Sequence, residues 1–337
     1  MTISENAEEF AGLPVRDYDP EAGIDDPKGT IYRLRVDYDS EDPLTVLLAR
    51  FLEDPAASEV PGLVIGAWQG DESDASAGPI VEALVAAREA LPNLRALFLG
   101  DITSEENEIS WIQQSDVTPL FDAYPNLEHF RVRGGSGLAI GKLRHGNLRS
   151  LVVESGGLDA EVVRGIAASD LPRLEHLELW LGTENYGGNV TPDDLAPILR
   201  GDRFPALKRL GLRDAEGADR IAEAVAQAPI LARLDVLDLS LGDLGDEGAM
   251  ALVSSPYMPR PSQSDVQPFL SGLGDKEGPG NSPGAARLTR LDIHHHYVSD
   301  EVIQKLKRLG IEIEAGDRQE GHDWGDGKVH RYIAVSE

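Results

Sequence analysis

Three places in this 337-residue sequence bring together residue types that chemistry uses. The first is Gly134, Gly135, Ser136 and Gly137, followed by Gly141 and Lys142. A glycine-rich loop can cradle phosphate on its backbone N–H groups, but only in fixed patterns. A Walker loop needs Gly at 136 and Ser or Thr at 143, where Ser136 and Leu143 stand. A dinucleotide fingerprint opening at Gly135 needs Gly at 140, which is Ile140. A hydrolase elbow around Ser136 needs Gly at 138, which is Leu138. All three patterns fail. The second place is His294, His295 and His296, with Asp292 nearby. Imidazole and carboxylate are zinc ligands. Consecutive strand residues point to opposite faces, however, and no HxxxH or HExxH spacing exists. The cluster reads as a polar strand end followed by a turn, with no metal and no cofactor expected. The third place is the set of paired acids: Asp71 with Glu72, Glu105 with Glu106, and Asp193 with Asp194. In a chain with 59 acidic residues such pairs say little, and acids at helix starts favour the helix dipole. No nucleophile, base and stabiliser can be assembled from these motifs, so no catalytic residue is expected.

Charge narrows the partners. Lys and Arg total 31 against 59 acids, a formal net charge of -28. Such a field repels phosphate backbones and anionic membrane surfaces, so neither nucleic acid nor membrane is expected as a partner. There is no Cys, which excludes disulfides and thiolate metal sites. Met1 to Phe10 lacks the basic start and apolar run of a signal peptide. No stretch approaches the roughly 18 apolar residues of a membrane span. The expectation is a soluble cytoplasmic protein.

The elements that would position any site follow from a repeat. An apolar triplet, spaced by two residues and then by one, recurs through the chain. It reads Leu94, Leu97, Leu99, then Leu127, Phe130, Val132, then Leu148, Leu151, Val153. It continues as Leu174, Leu177, Leu179, then Leu207, Leu210, Leu212, then Leu234, Leu237, Leu239, and finally Leu288, Leu291, Ile293. Weaker copies start at Ile31 and Val60, and a degenerate one at Ile311. The intervals are 29, 34, 33, 21, 26, 33, 27 and 54 residues, near the period of leucine-rich repeats. The last two apolar positions of each triplet are two apart, as in a strand. Ile80, Leu84 and Ala87, or Ala249, Leu252 and Val253, lie instead at helical spacing. Thr118 before Pro119, and Thr191 before Pro192, place capping hydroxyls at helix starts. Leu91-Pro92, Tyr124-Pro125, Leu171-Pro172 and Phe204-Pro205 end helices just before strands. One strand and one helix per unit predict an α/β leucine-rich-repeat solenoid, a horseshoe with a parallel concave sheet and helices on the convex side.

The segment LDVLDLSLGDLGDEGAMAL, residues 234–252, carries a family resemblance. Its strand, its Gly-Asp-Glu-Gly-Ala turn and its small-residue helix resemble bacterial leucine-rich-repeat proteins of the ribonuclease-inhibitor-like type. The resemblance spans residues 30–313. Residues 97–120 also resemble an uncharacterised bacterial family of such proteins, and membership implies no known reaction. One feature departs from the general repeat. The position three after the last strand residue, often Asn, is here Ile102, Gly135, Gly156, Gly182, Ala215, Gly242 or His296. The asparagine ladder is missing, and the four glycines point to turns with unusual backbone angles.

The organisation expected is an N-terminal segment and cap over 1–56, the solenoid over 57–313, and a C-terminal cap or tail over 314–337. Residues 254–285, rich in Pro, Gly and Ser, are expected to be a flexible insertion, with Tyr257 and Phe269 as possible contacts. Ile31 to Tyr38 is expected as a strand, and Ile311 to Glu314 is expected to pair with Val329 to Val335 as a terminal hairpin. The 21-residue unit from Leu127 is too short for a helix.

Alternation then marks the residues that face away from the core. Phe98, His129, Arg131, Arg133, Glu154, Glu178, Trp180, Arg213 and His294 form the candidate binding face. One row runs Arg133, Glu154, Trp180, Arg213, with Trp180 expected to be exposed. Trp68 and Trp111 would extend the site along a rim. Arg and Trp are enriched at binding hot spots, and a solenoid's concave sheet is its usual binding surface. The function expected is non-enzymatic recognition of a protein partner through the concave face. The alternative is an accessory protein binding a small ligand in the concavity, and an enzyme ranks third.

Overall fold

Each apolar triplet becomes a short strand in the computed structural model, which describes residues 3–68, 75–259, 287–325, 327 and 329–336. The strands are β1 Glu9–Phe10, β2 Leu13–Asp17, β3 Ile31–Leu34, β4 Gly62–Ile65, β5 Ala96–Leu99 and β6 His129–Arg133. They continue as β7 Ser150–Glu154, β8 His176–Gly182, β9 Arg209–Ala215, β10 Val236–Asp238, β11 Arg290–Asp292 and β12 Glu312–Glu314. They pair strictly in sequence order in one open sheet of 12 strands. Every pairing from β2 onward is parallel, and β1 is antiparallel to β2. Parallel neighbours need a crossover between them, and the helices supply it on one face. The result is the leucine-rich-repeat solenoid, an α/β horseshoe with the sheet on its concave side.

Register explains the spacing of the triplets. Leu63, Leu97, Phe130, Leu151, Leu177, Leu210, Leu237, Leu291 and Ile313 lie directly opposite one another across nine strands. This row packs against helices α1 Leu44–Glu53, α2 Gly78–Ala86, α3 Thr118–Ala123, α4 Ala160–Ala167, α5 Pro192–Leu199, α6 Ala218–Ala226, α7 Asp246–Ser254 and α8 Asp300–Lys307. Leu48, Leu84, Leu120, Val163, Leu195, Ala222, Leu252 and Leu306 come from the helices into that single core. Burying each leucine contributes roughly 1.5–3 kcal/mol, so the aliphatic row carries most of the driving force. Between β6 and β7 no helix forms. Residues there run extended, bridging Ser136 to Gln113 and Ala139 to Asp116 in the preceding unit.

Of the two helix starts marked by a capping hydroxyl, one is capped as expected. The Asp194 carboxylate accepts the Thr191 N–H at 2.9 Å and its hydroxyl at 2.6 Å, which closes the first turn of α5. Thr118 is not a cap. Val117 precedes α3, Asp116 accepts the Thr118 N–H, and the Thr118 hydroxyl accepts the Gly141 N–H from the next unit at 2.8 Å.

The turns after the strands join directly through backbone where asparagine is absent. Thr183 N–H donates to the Gly156 carbonyl at 2.8 Å, and Glu216 N–H to that of Gly182 at 3.1 Å. Asp243 N–H continues the ladder to the Ala215 carbonyl at 3.3 Å. Of the four ladder glycines only Gly182 has a left-handed backbone, φ +68°, which corrects the expectation for the others. Gly135 and Gly242 are needed because the neighbouring turn leaves no room for a Cβ, and Gly156 because Ser110 and the returning Ser336 lie against it. His296 does asparagine's work. Its Nδ1 accepts the Val298 N–H at 2.9 Å, and its Nε2 meets the Ala315 carbonyl at 3.3 Å.

The ends depart from the sequence reading. The strand at Ile31 stops at Leu34. Glu312–Glu314 joins the main sheet, and the terminal hairpin is instead β13 His322–Asp323 with β14 Val329–His330. Beyond it, residues 331–336 turn back along the rim at the C-terminal ends of the strands. Tyr332 N–H donates to the Tyr297 hydroxyl, Ala334 N–H to the Leu241 carbonyl, and Val335 N–H to Asp214 Oδ1. The Ser110 hydroxyl reaches the Ser336 carbonyl at 2.6 Å. The insertion 254–285 lies outside the described residues from 260 on, Phe269 included, while Tyr257 packs against the core. No described helix is long and apolar enough to cross a membrane.

Candidate functional site

Period-two alternation puts a second set of side chains on the concave face. Arg131 lies opposite Phe98 and Val152, and Glu178 opposite Val152 and Gly211. Arg133 faces Glu154, and Trp180 faces Arg213. The residues picked from sequence therefore do share this face, but the chain itself covers part of it.

Phe98 is fully buried, contrary to its expected exposure. It forms a small cluster with Ile31, Val64 and Ala96, lidded by Ala7, Phe10, Leu13 and Val15 of the N-terminal segment. The Phe10 ring sits 5.8 Å from the Phe98 ring, and Arg131 lies over its other side at 4.5 Å. Trp180 is only 6% exposed, which corrects the expectation of an open indole. Ile3, Ile109, Leu241, Ala334 and Val335 enclose it, so both chain ends meet on this ring. Its N–H donates to Glu178 at 2.8 Å, and Arg213 stacks 5.1 Å from its ring. Trp68 is also buried, with its N–H on the Ala75 carbonyl, while Trp111 is exposed.

Arg133 and Glu154 are buried as well, at 3% and 1% exposure. Glu154 accepts from Arg133 at 2.7 Å and from Arg131. Arg133 also reaches the Ile102 carbonyl at 2.8 Å and lies 3.7 Å from Asp101. Asp101, wholly buried, takes Arg33 at 3.0 Å and the Ala7 N–H, and so pins the N-terminal segment over the sheet. Burial pushes the Glu154 carboxyl up, but Arg131 and Arg133 outweigh it and hold the group below its usual value. The sequence reading missed Asp101 and Arg33 and the covering segments. The alternation of Leu13 and Val15 was a visible signal for one of them.

From β8 to β11 the sheet stays open. Gly211, having no side chain, leaves a hollow of ≈ 270 Å³ bounded by His176, Glu178, Arg209, Asp238, Arg290 and Asp292. Glu178 is held by Arg213 at 2.8 Å and His176 at 3.4 Å. Burial raises its carboxyl, yet the His176 bond, the Arg213 charge and the Trp180 N–H together bring it well below the usual range. Burial raises Asp238, whose one ion-pair partner among the described residues, Arg213, lies 3.4 Å away. Arg209 is exposed and has no ion pair among the described residues. Arg213 and His294 are half-buried in this region, as are His129 and Arg131 on β6 beyond it.

The histidine triplet does not converge. His294 bonds Asp292 at 2.8 Å, which raises its pKa. His295 bonds Asp317 and the Tyr332 carbonyl, and His296 the Ala315 carbonyl. Among the described residues no group of three His, Cys, Asp or Glu side chains is placed to hold a metal ion.

One buried acid on the rim gives a prediction. Asp214 is fully buried, with φ +51°, and its Oδ2 has no hydrogen-bond partner among the described residues. Burial raises its pKa well above normal. In the unfolded chain it ionises near pH 4, so folding must take up a proton above that, and stability falls as pH rises. Asp214→Asn keeps an acceptor for the Val335 N–H and removes the titration. Melting temperatures of variant and wild type should coincide near pH 4 and separate in the variant's favour toward about pH 8. A variant less stable at both would show that the ionised form is the one the fold uses.

Among solved structures, a protein from Bacteroides fragilis is 33% identical in sequence, with a TM-score of 0.71. The match covers 85% of this chain and 74% of that one. An internalin from Listeria monocytogenes matches at 14% identity over 79% of this chain and 77% of its own, with a TM-score of 0.28, too low a likeness to carry an argument. No family model matches the chain, and no curated protein does.

Proposed function

The chain belongs to the same family as that Bacteroides fragilis protein, and we propose that it is a non-enzymatic scaffold holding a protein partner on the open part of its concave sheet. The observation that carries this reading is the hollow over Gly211, which charged side chains from four adjacent strands line. Elsewhere on the face the N-terminal segment and the C-terminal tail already occupy the equivalent positions. His129, Arg131, Glu178, Arg213 and His294 belong to the contact surface in this reading. Phe98, Arg133, Glu154 and Trp180 act beneath it, fixing the sheet and its covering segments. The net charge of -28 disfavours nucleic acid and anionic membrane, and a cytoplasmic setting is part of the proposal. The mixed charge of the hollow also favours a second reading, a small polar ligand. Its ≈ 270 Å³ falls just short of the roughly 300–1,000 Å³ typical of small-molecule sites, so the protein partner is preferred.

The test is site-specific photocrosslinking in the native cell extract. A crosslinker at Val236, beside the hollow, is compared with one at Glu223, exposed on α6. We expect one protein joined from position 236, absent from 223, and lost in the Arg209→Glu, Arg290→Glu variant. Equal yields from both positions would put recognition elsewhere.

A further inference from the structure

The carboxylates of the open face are aligned in a way that is costly for the chain alone. Gly211, Asp238, Asp292 and Glu314 lie directly opposite one another on β9 to β12, and Glu178 precedes them opposite Gly211. Like charges opposite each other on adjacent strands destabilise a sheet. Two of these acids are compensated. Glu178 has Arg213, His176 and the Trp180 N–H, and Asp292 has His294 at 2.8 Å and Arg290 at 3.3 Å. Asp238 is left short. It takes the Ser240 N–H at 2.9 Å, but its one ion-pair partner among the described residues, Arg213, lies nearer to Glu178, at 2.8 Å against 3.4 Å. Between Glu178 and Asp238 is the space that Gly211 leaves. A Cβ on Gly211 would come 2.9 Å from Glu178 Cγ, so that space exists only because the residue is glycine.

We infer that this hollow receives a lysine or arginine side chain of the partner protein, with an acidic neighbour in the partner meeting Arg209. This rests on the reading of the open sheet as a recognition surface. The hollow of ≈ 270 Å³ admits one long side chain. Val236 offers an aliphatic wall for its stem, and the carboxylates of Glu178 and Asp238 flank its charged end. A guanidinium fits best, because its planar fork bonds carboxylates in fixed directions. Arg209, exposed and without an ion pair among the described residues, stands at the mouth and favours an acid beside the entering base. The chain's charge of -28 draws basic segments toward the face and leaves local pairing to choose among them.

A blocked tripeptide with glutamate on either side of arginine is the probe, titrated into the full-length chain while the Val236 methyl signals are followed by NMR. We expect saturable shifts. Replacing arginine by uncharged citrulline, or Asp238→Asn in the protein, should weaken binding about tenfold or more, as for loss of a charge-assisted hydrogen bond. Citrulline binding as well as arginine, Asp238→Asn binding as well as wild type, or shifts that never saturate would each overturn the inference. Free arginine binding more tightly than the tripeptide would place a small cation there instead. If the inference fails while crosslinking from Val236 still selects a partner over Glu223, the scaffold reading stands. If both positions crosslink equally, the scaffold reading itself has failed.

Discussion

Glu154→Gln lowers the free energy of unfolding by about 3–5 kcal/mol in urea denaturation at neutral pH. Glu154 is 1% exposed and is the shared counterion of Arg131 and Arg133. Arg133 is itself 4% exposed at its side chain, and its next acid, Asp101, lies 3.7 Å away and already serves Arg33 at 3.0 Å. Removing the charge therefore strands the Arg133 guanidinium away from water, and the stranded charge, not the lost attraction, sets the size of the effect. The same geometry fixes the pH dependence. Because the folded carboxyl titrates below its unfolded value, its contribution is present at neutral pH and lost as pH falls through the folded value. The gap between wild type and variant should accordingly narrow in acid. A change below about 1 kcal/mol would mean that water reaches the pair and that the network is a surface one.

Gly182→Ala destabilises by about 3 kcal/mol or more, and Gly187→Ala by only about 1 kcal/mol. Both glycines have left-handed backbones, φ +68° and +89°. A Cβ on Gly187 meets nothing within 4 Å, whereas one on Gly182 overlaps the Gly156 carbonyl. That carbonyl accepts the Thr183 N–H, a rung of the backbone ladder that stands where asparagines do in other repeats. The difference between the two variants isolates the close approach of turns from the cost of the backbone angle. Equal losses in chemical denaturation would show that the turns can separate freely and that the ladder is incidental.

The repeat was legible in the sequence because it is local. The leucine spacing encodes strand alternation, and Pro92, Pro125, Pro172 and Pro205 mark where four of the helices must end. The asparagine deficit was legible too, but not its remedy, since only three-dimensional register reveals that Gly156, Gly182 and Ala215 bring backbone to backbone. Alternation placed the candidate residues on one side of the sheet, and their exposure was misjudged. Alternation tells which side of the sheet Trp180 occupies, not what lies on it. The groups that cover it, Ile3 and Val335, are distant in sequence and carry no periodic signal. Phe98 is different, because part of its cover, Leu13 and Val15, alternates like a strand, with Phe10 opposite Leu13 across a tight turn. Gly211 lies on the same side of the sheet, and its lack of a side chain makes the hollow.

The return of residues 331–336 along the rim alters how this solenoid can come apart. Stacked repeats that touch only their neighbours unravel from an end, unit by unit. Here the Val335 N–H is tied to Asp214 across 121 residues, and the Ser336 carbonyl to Ser110 across 226. The last units cannot peel away without tearing open the enclosure of Trp180 in the middle of the array. Melting is thereby made more nearly all-or-none. During synthesis the middle of the array is complete long before its clasp, so Trp180 emerges from the ribosome bare and is sealed only when the tail arrives.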